Sequence, residues 1–325
     1  MDSGMNLWSE AVQINLFGMD LYAFGLYCAI GALSSALVLG VLGWGMNVQK
    51  GAAPLIFILS FVSGLVVSRL CFCLMDRSLG RMFPLSAWLR ITEGGWSLAG
   101  LIGGAMLGAF LSSRALKEAP AKVFDMVSCA LPLTLAAVKF GESKLTDFDI
   151  SRKLPDGIVL PAFLTVKDPV YTDVTYLATH RLGMLVYLTI FLFLTFSLLR
   201  KGRREGDSCV SFLLLCGACG ILLESLRYDH FLELSFVRLE QVVYALILAL
   251  GVIAAVRRAG TGRQALKGCA VAFLILAIGA CIGVEFALDR TGLSHGLLYA
   301  GMTVALILPV AFSMALMGTK GQKRA

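Results

Sequence analysis

Two pairs of oppositely charged residues lie at the ends of strongly apolar segments of this chain: Lys139 with Glu142, and Glu224 with Arg227. Each pair is three residues apart, so in a continuous helix its members share one face and neutralise each other. A cation can hold a phosphate and a carboxylate can accept a proton, and His230 adds a second proton acceptor. Two interpretations stay open: a functional site within a membrane, or ion pairs and a surface histidine at the ends of spans.

A second unusual feature is the stretch EGGWSLAGLIGGAMLGAF, residues 93–110, which is apolar but rich in glycine. Glycine lowers helix propensity, so its repeated use needs a reason. The glycines concerned are Gly94, Gly95, Gly100, Gly103, Gly104 and Gly108. The G-x-x-x-G spacing predicts either a seam where two helices pack closely, or space for a lipid or another thin substrate beside the helix.

Membrane-spanning helices must position these residues, because the chain is too apolar for a soluble domain. Of its 325 residues, 58% are hydrophobic and 15% are charged, and the mean hydropathy is +0.82. We therefore predict an all-α, polytopic transmembrane protein. The apolar runs predict nine spans at about 21–45, 55–75, 95–113, 122–140, 183–200, 209–226, 237–256, 267–287 and 296–317.

The basic residues indicate a membrane topology rather than a nucleic-acid partner. The net charge is +7, but Lys and Arg are concentrated in the short connections on one side of the predicted spans. By the positive-inside rule that side is cytoplasmic, which predicts an outer N-terminus and an inner C-terminus. We expect no cleavable signal peptide, and we interpret CGAC at 216–219 as small packing residues rather than a metal or redox site.

Several stretches of the chain carry a resemblance to a known family: YAFGLYCAIGALSSALVLG, LIFILSFVSGLVVSRLCFCLMD, EGGWSLAGLIGGAMLG, FDMVSCALPLTLAAVKFGES, THRLGMLVY and LLLCGACGILLESLRYD. In this order they resemble segments of the bacterial prolipoprotein diacylglyceryl transferases. The resemblance covers roughly residues 20–258. It implies a seven-helix core at 1–258, with a long outer loop at 141–182, and two additional helices at 259–325.

The resemblance also implies an activity and its partners. These enzymes transfer a diacylglyceryl group from phosphatidylglycerol to the lipobox cysteine of a lipoprotein precursor. We therefore expect phosphatidylglycerol or another anionic phospholipid and a lipoprotein precursor peptide as partners, and a bacterial inner membrane as the location. No cofactor, metal or nucleic acid is expected.

The candidate site residues, taken from the resemblance and from the charged groups expected at the outer face, fall into two groups. For catalysis they are Lys139, Glu142, Glu224, Arg227 and His230. For substrate binding they are Arg69, Gly94, Gly95, Gly100, Gly103, Gly104 and Lys139. Other candidate bases are Glu93 and Glu285, although Glu285 lies outside the matched core and is also explained as an interfacial residue.

The chain departs from the family pattern at four positions. The family histidine falls near Leu98 or Ala99, and two family arginines fall on Lys139 and Gly220. The family asparagine falls on Glu142, whereas Glu224 and Arg227 are kept. The alternative hypothesis is therefore a relative that binds lipid or lipoprotein without catalysis. A transporter is disfavoured, because no internal repeat is visible.

Overall fold

The computed structural model describes residues 12–16, 19–78, 95–144, 153–154, 159–167, 174–199, 204–227 and 233–317. Within these residues nine helices are long and apolar enough to cross a membrane, which confirms the predicted all-α polytopic fold. The helices are α1 (Ala23–Gly45), α2 (Ala52–Ser78), α3 (Leu98–Leu116), α4 (Pro120–Glu142), α5 (Thr179–Leu199), α6 (Asp207–Ser225), α7 (Leu239–Arg258), α8 (Gln264–Arg290) and α9 (His295–Met317).

Short antiparallel strand pairs lie at one end of the helix bundle. They are β1 (Val12–Leu16) with β2 (Met19–Tyr22), β3 (Thr165–Lys167) with β4 (Thr175–Leu177), and β5 (Glu233–Leu234) with β6 (Val237–Arg238). The β3–β4 pair lies in the long connection before α5. That helix begins at Thr179, four residues earlier than the sequence predicted.

Helices α4 and α6 form the centre of the bundle and are its most buried spans. Helix α4 contacts α1, α3, α5 and α6, while α6 packs along α7. Helices α8 and α9 pack on each other; α9 contacts α6 and α7, and α8 also contacts α7. The outward faces of the peripheral helices expose large apolar side chains such as Leu37 and Ile275, as expected for surfaces in contact with lipid.

Helix ends are fixed by local signals and by contacts between helices. Helix α4 starts at Pro120, whose missing N–H costs nothing at a first helical position. The buried carboxylate of Asp125 in α4 accepts hydrogen bonds from the backbone N–H groups of Gly206 (2.6 Å) and Cys209 (2.9 Å). This side chain thus caps the positive end of α6 and ties the two central helices together.

Candidate active site

Five charged residues meet where α4 ends, α6 ends and α7 begins. They are Lys139 and Glu142 in the last turn of α4, Glu224 and Arg227 at the end of α6, and Glu240 in the first turn of α7. We call these five residues the charged cluster. Lys139, Glu224 and Glu240 are each at most 8% exposed, so their charges must be balanced within the protein.

Four members of the cluster form a chain of alternating charges. Lys139 Nζ lies 3.0 and 3.1 Å from the two carboxylate oxygens of Glu142, and 3.8 Å from Glu224 Oε1. The other oxygen of Glu224 lies 3.5 Å from Arg227 Nη1. Both i, i+3 pairs predicted from the sequence are therefore formed, and Glu224 joins them into one network.

Glu240 belongs to the same cluster but binds the start of α3. Its Oε2 accepts a hydrogen bond of 3.3 Å from the Ala99 N–H, and its carboxylate also hydrogen-bonds to the Ser97 side chain. The Ser97 hydroxyl in turn accepts from the Gly100 N–H at 2.8 Å, as an N-cap does. Sequence analysis missed Glu240, although a carboxylate in the first turn of an apolar span was a signal that could have found it.

Arg69 of α2 fixes the backbone just before α3. Its Nη1 donates to the Gly95 carbonyl at 2.9 Å, and its guanidinium lies 5.7 Å from the centroid of the Phe72 ring. Gly95 has a φ of +76°, a backbone conformation that side chains disfavour. Arg69 and Gly95 therefore fix the backbone conformation that leads into the glycine-rich helix. Glu93, Gly94 and His230 lie outside the described residues.

The glycines of α3 divide between two faces. A β-carbon on Gly100 would lie 2.8 Å from Cys71 Cβ, and one on Gly104 would lie 2.7 Å from Gly64 Cα, both in α2. Gly108 approaches the same helix as closely. A β-carbon on Gly103 would have no neighbour within 4 Å. Gly100, Gly104 and Gly108 thus form the close packing seam with α2, whereas Gly103 faces open space.

Comparison with known proteins identifies the family of this chain. The sequence profile of the family described as prolipoprotein diacylglyceryl transferase matches residues 11–257. The chain belongs to this family. The match ends at the last residues of α7, so α8 and α9 lie beyond it.

The curated relatives carry the same family name at low identity. Proteins named phosphatidylglycerol–prolipoprotein diacylglyceryl transferase from Thermotoga petrophila and Thermotoga maritima are each 27% identical over 198 residues. That match covers 58% of this chain and spans 64% of the length of those relatives. A protein of the same name from Clostridium novyi is 22% identical over 255 residues, which cover 74% of this chain and 93% of that relative.

In this member of the transferase family, an aromatic ring occupies the space beside Gly220. A β-carbon on Gly220 of α6, where the resemblance aligns a family arginine, would collide with the Tyr244 ring of α7. The Tyr244 hydroxyl lies 3.3 Å from that of Tyr187 in α5, and both tyrosines are buried. No sequence signal singled out these tyrosines, because their pairing joins helices that are far apart in the chain.

Proposed function

We propose that this chain transfers a diacylglyceryl group from phosphatidylglycerol to the cysteine of a lipoprotein precursor. The observation that carries the proposal is the largely buried Lys139–Glu224–Arg227 network at one end of the bundle of apolar helices. Membership of the transferase family and the names of the curated relatives support it. The acceptor would be a lipobox peptide, and the donor phosphatidylglycerol or another anionic phospholipid.

In this proposal Lys139 and Arg227 hold the lipid phosphate and stabilise the charge of the departing glycerol phosphate. Cations aimed at developing charge in a site with little water are effective catalysts. A phosphate must compete with Glu142 and Glu224 for the Lys139 ammonium.

The glycine-rich helix α3 and Arg69 of α2 complete the proposed substrate site. Arg69 and Gly95 would border the headgroup at the start of α3, and the open space beside Gly103 would receive part of the lipid. Gly100 and Gly104 contribute through the packing seam, which places α3 against α2. Gly94 and His230 remain candidates on sequence grounds alone.

The proposed location is a bacterial inner membrane, with the charged cluster at the outer face. The N-terminus would then lie outside and the C-terminus in the cytoplasm. A C-terminal alkaline phosphatase fusion should be inactive and a C-terminal green fluorescent protein fusion should fluoresce; the reverse pattern would refute this orientation. We also propose that residues 1–258 form the transferase core and residues 259–325 an added helical hairpin.

The decisive experiment is a transfer assay with purified full-length protein in detergent. Phosphatidylglycerol and a lipobox peptide are supplied, and mass spectrometry detects the diacylglyceryl-peptide. The Lys139→Ala variant should lose the product, whereas Lys50→Ala, which removes an exposed lysine from the connection between α1 and α2, should keep it. Absence of product with the unmodified protein would refute the proposed activity. Unchanged turnover in Lys139→Ala would refute the role of Lys139.

A second candidate function is lipid binding without transfer. Two observations favour it: carboxylates surround the Lys139 ammonium, and the Tyr244 ring occupies the space of a side chain at position 220. This candidate expects phosphatidylglycerol to co-purify without any product. Gain of transfer in the variant Lys139→Arg, Gly220→Arg and Tyr244→Ala would then identify a scaffold that has lost its chemistry. The third change is included because an arginine at 220 cannot fit beside Tyr244.

A further inference from the structure

The proposed transfer requires a group that accepts the proton of the cysteine thiol. A free thiol is only a few per cent thiolate at neutral pH, so an adjacent base increases the reactive fraction. The side chains at Leu98 and Ala99 cannot accept a proton. Among the described residues of the charged cluster, the acceptors are the carboxylates of Glu142, Glu224 and Glu240.

Two of these carboxylates are engaged by cations. Glu142 accepts Lys139 with both oxygens, and Glu224 lies between Lys139 and Arg227. A proton placed on either carboxylate would weaken an ion pair in a largely buried site, where unbalanced charge is costly. Neither group is therefore well suited to carry a proton during turnover.

Glu240 is held differently. Its hydrogen-bond donors among the described residues are neutral: the Ala99 N–H and the Ser97 side chain. A carboxylate has about four lone-pair positions, so these donors leave acceptor capacity for a substrate proton. A proton on Glu240 would break no ion pair with a described residue.

The position of Glu240 also suits the reaction. Its carboxylate lies at the start of the glycine-rich helix, beside Ala99, and within electrostatic range of both Glu224 and Arg227. The proposed phosphate ligand Arg227 and the candidate base thus share one buried site. Two neutral donors on the carboxylate and packing between α3 and α7 fix its orientation, as proton transfer requires.

We propose that Glu240 is the catalytic base of this protein, an assignment that rests on the transferase activity proposed above. The thiol proton passes to a Glu240 oxygen as the sulfur attacks the glycerol carbon bonded to the phosphate oxygen. A carbon–sulfur bond forms, the carbon–oxygen bond breaks, and its electron pair leaves with the glycerol phosphate. The proton on Glu240 then passes to that departing anion or to water, which restores the carboxylate.

The test compares two lipobox peptides that differ only in having cysteine or selenocysteine. A selenol is ionised at neutral pH and needs no base, whereas a thiol benefits from one. With full-length Glu240→Gln protein and phosphatidylglycerol, transfer to the cysteine peptide should fall by at least about 100-fold. Transfer to the selenocysteine peptide should fall by less than about tenfold. Glu118→Gln is the matched control, because Glu118 lies at the opposite end of the bundle beside Lys122.

Each outcome is decisive. Unchanged transfer of the cysteine peptide by Glu240→Gln would overturn the assignment. Equal losses with both peptides, in protein that stays monodisperse and retains phosphatidylglycerol, would also overturn it by indicating a structural role. If Glu240→Gln does not fold, Glu240→Asp keeps the charge, and a loss confined to the cysteine peptide is again the expected result. A native protein inactive on both peptides would instead refute the proposed transferase activity.

Discussion

Two neighbouring glycines of α3 allow the energetic cost of an added methyl group at the packing seam to be measured. Gly103 and Gly104 are adjacent in the same helix, so replacing either with alanine gains the same helix propensity, at most about 1 kcal/mol. The new methyl group at 103 has no neighbour within 4 Å, whereas at 104 it meets the Ser63 carbonyl oxygen and lies 2.7 Å from Gly64 Cα. The difference between the two variants therefore isolates the cost of packing.

The size of that difference follows from the geometry. Ordinary van der Waals contact begins at 3.4 Å, so α2 and α3 would have to separate by at least about 0.7 Å to clear Gly64 Cα, and further to clear the Ser63 carbonyl oxygen. Forcing an extra methyl into a packed interface typically costs about 1–3 kcal/mol. We expect Gly104→Ala to be less stable than Gly103→Ala by about that amount, or roughly 5- to 150-fold in the folded-to-unfolded ratio.

The assay is reversible unfolding of both variants in mixed micelles, with increasing denaturing detergent and helical content as the signal. Gly108→Ala should behave like Gly104→Ala, because Gly108 lies on the same face and contacts α2 equally closely. Equal free energies of unfolding for Gly103→Ala and Gly104→Ala would refute the reasoning. That result would mean that the two helices are not in close backbone contact.

Three further substitutions test other contacts with the same assay. Lys139→Met should lower the free energy of unfolding by roughly 3–5 kcal/mol, because it removes one cation from the buried Glu224 carboxylate. A stability equal to that of the unmodified protein would contradict the ion-pair network of Lys139, Glu224 and Arg227. Asp125→Ala should lower the free energy of unfolding by roughly 3 kcal/mol, since the N-terminus of α6 loses its carboxylate cap. A loss smaller than that of an ordinary surface substitution would argue against the cap. Tyr299→Phe should lower the free energy of unfolding by about 1 kcal/mol, because it deletes the 2.9 Å hydrogen bond from the Tyr299 hydroxyl of α9 to the Ser225 carbonyl of α6. An unchanged free energy would mean that this hydrogen bond does not stabilise the contact between α9 and α6.

Features that depend on residues close together in the chain were predictable from the sequence alone. The length of each apolar run is set by the thickness of a bilayer, and so the nine spans were predicted to within a few residues. The ion pairs Lys139–Glu142 and Glu224–Arg227 were predicted for a similar reason. Residues three apart share a helix face whatever the surrounding structure.

Which helix faces meet could not be predicted from the sequence and is seen in the folded chain. Glu240 reaches Ala99 across 141 residues of sequence, and Tyr244 fills the space beside Gly220. The glycine spacing left packing and open space as equal explanations, and the structure assigns Gly104 to the seam and Gly103 to the open side. Helical periodicity fixes the angle between two residues of one helix, but the rotation of that helix against its neighbours depends on packing between distant segments. The position of the charged cluster beside the start of α3 is a product of that packing.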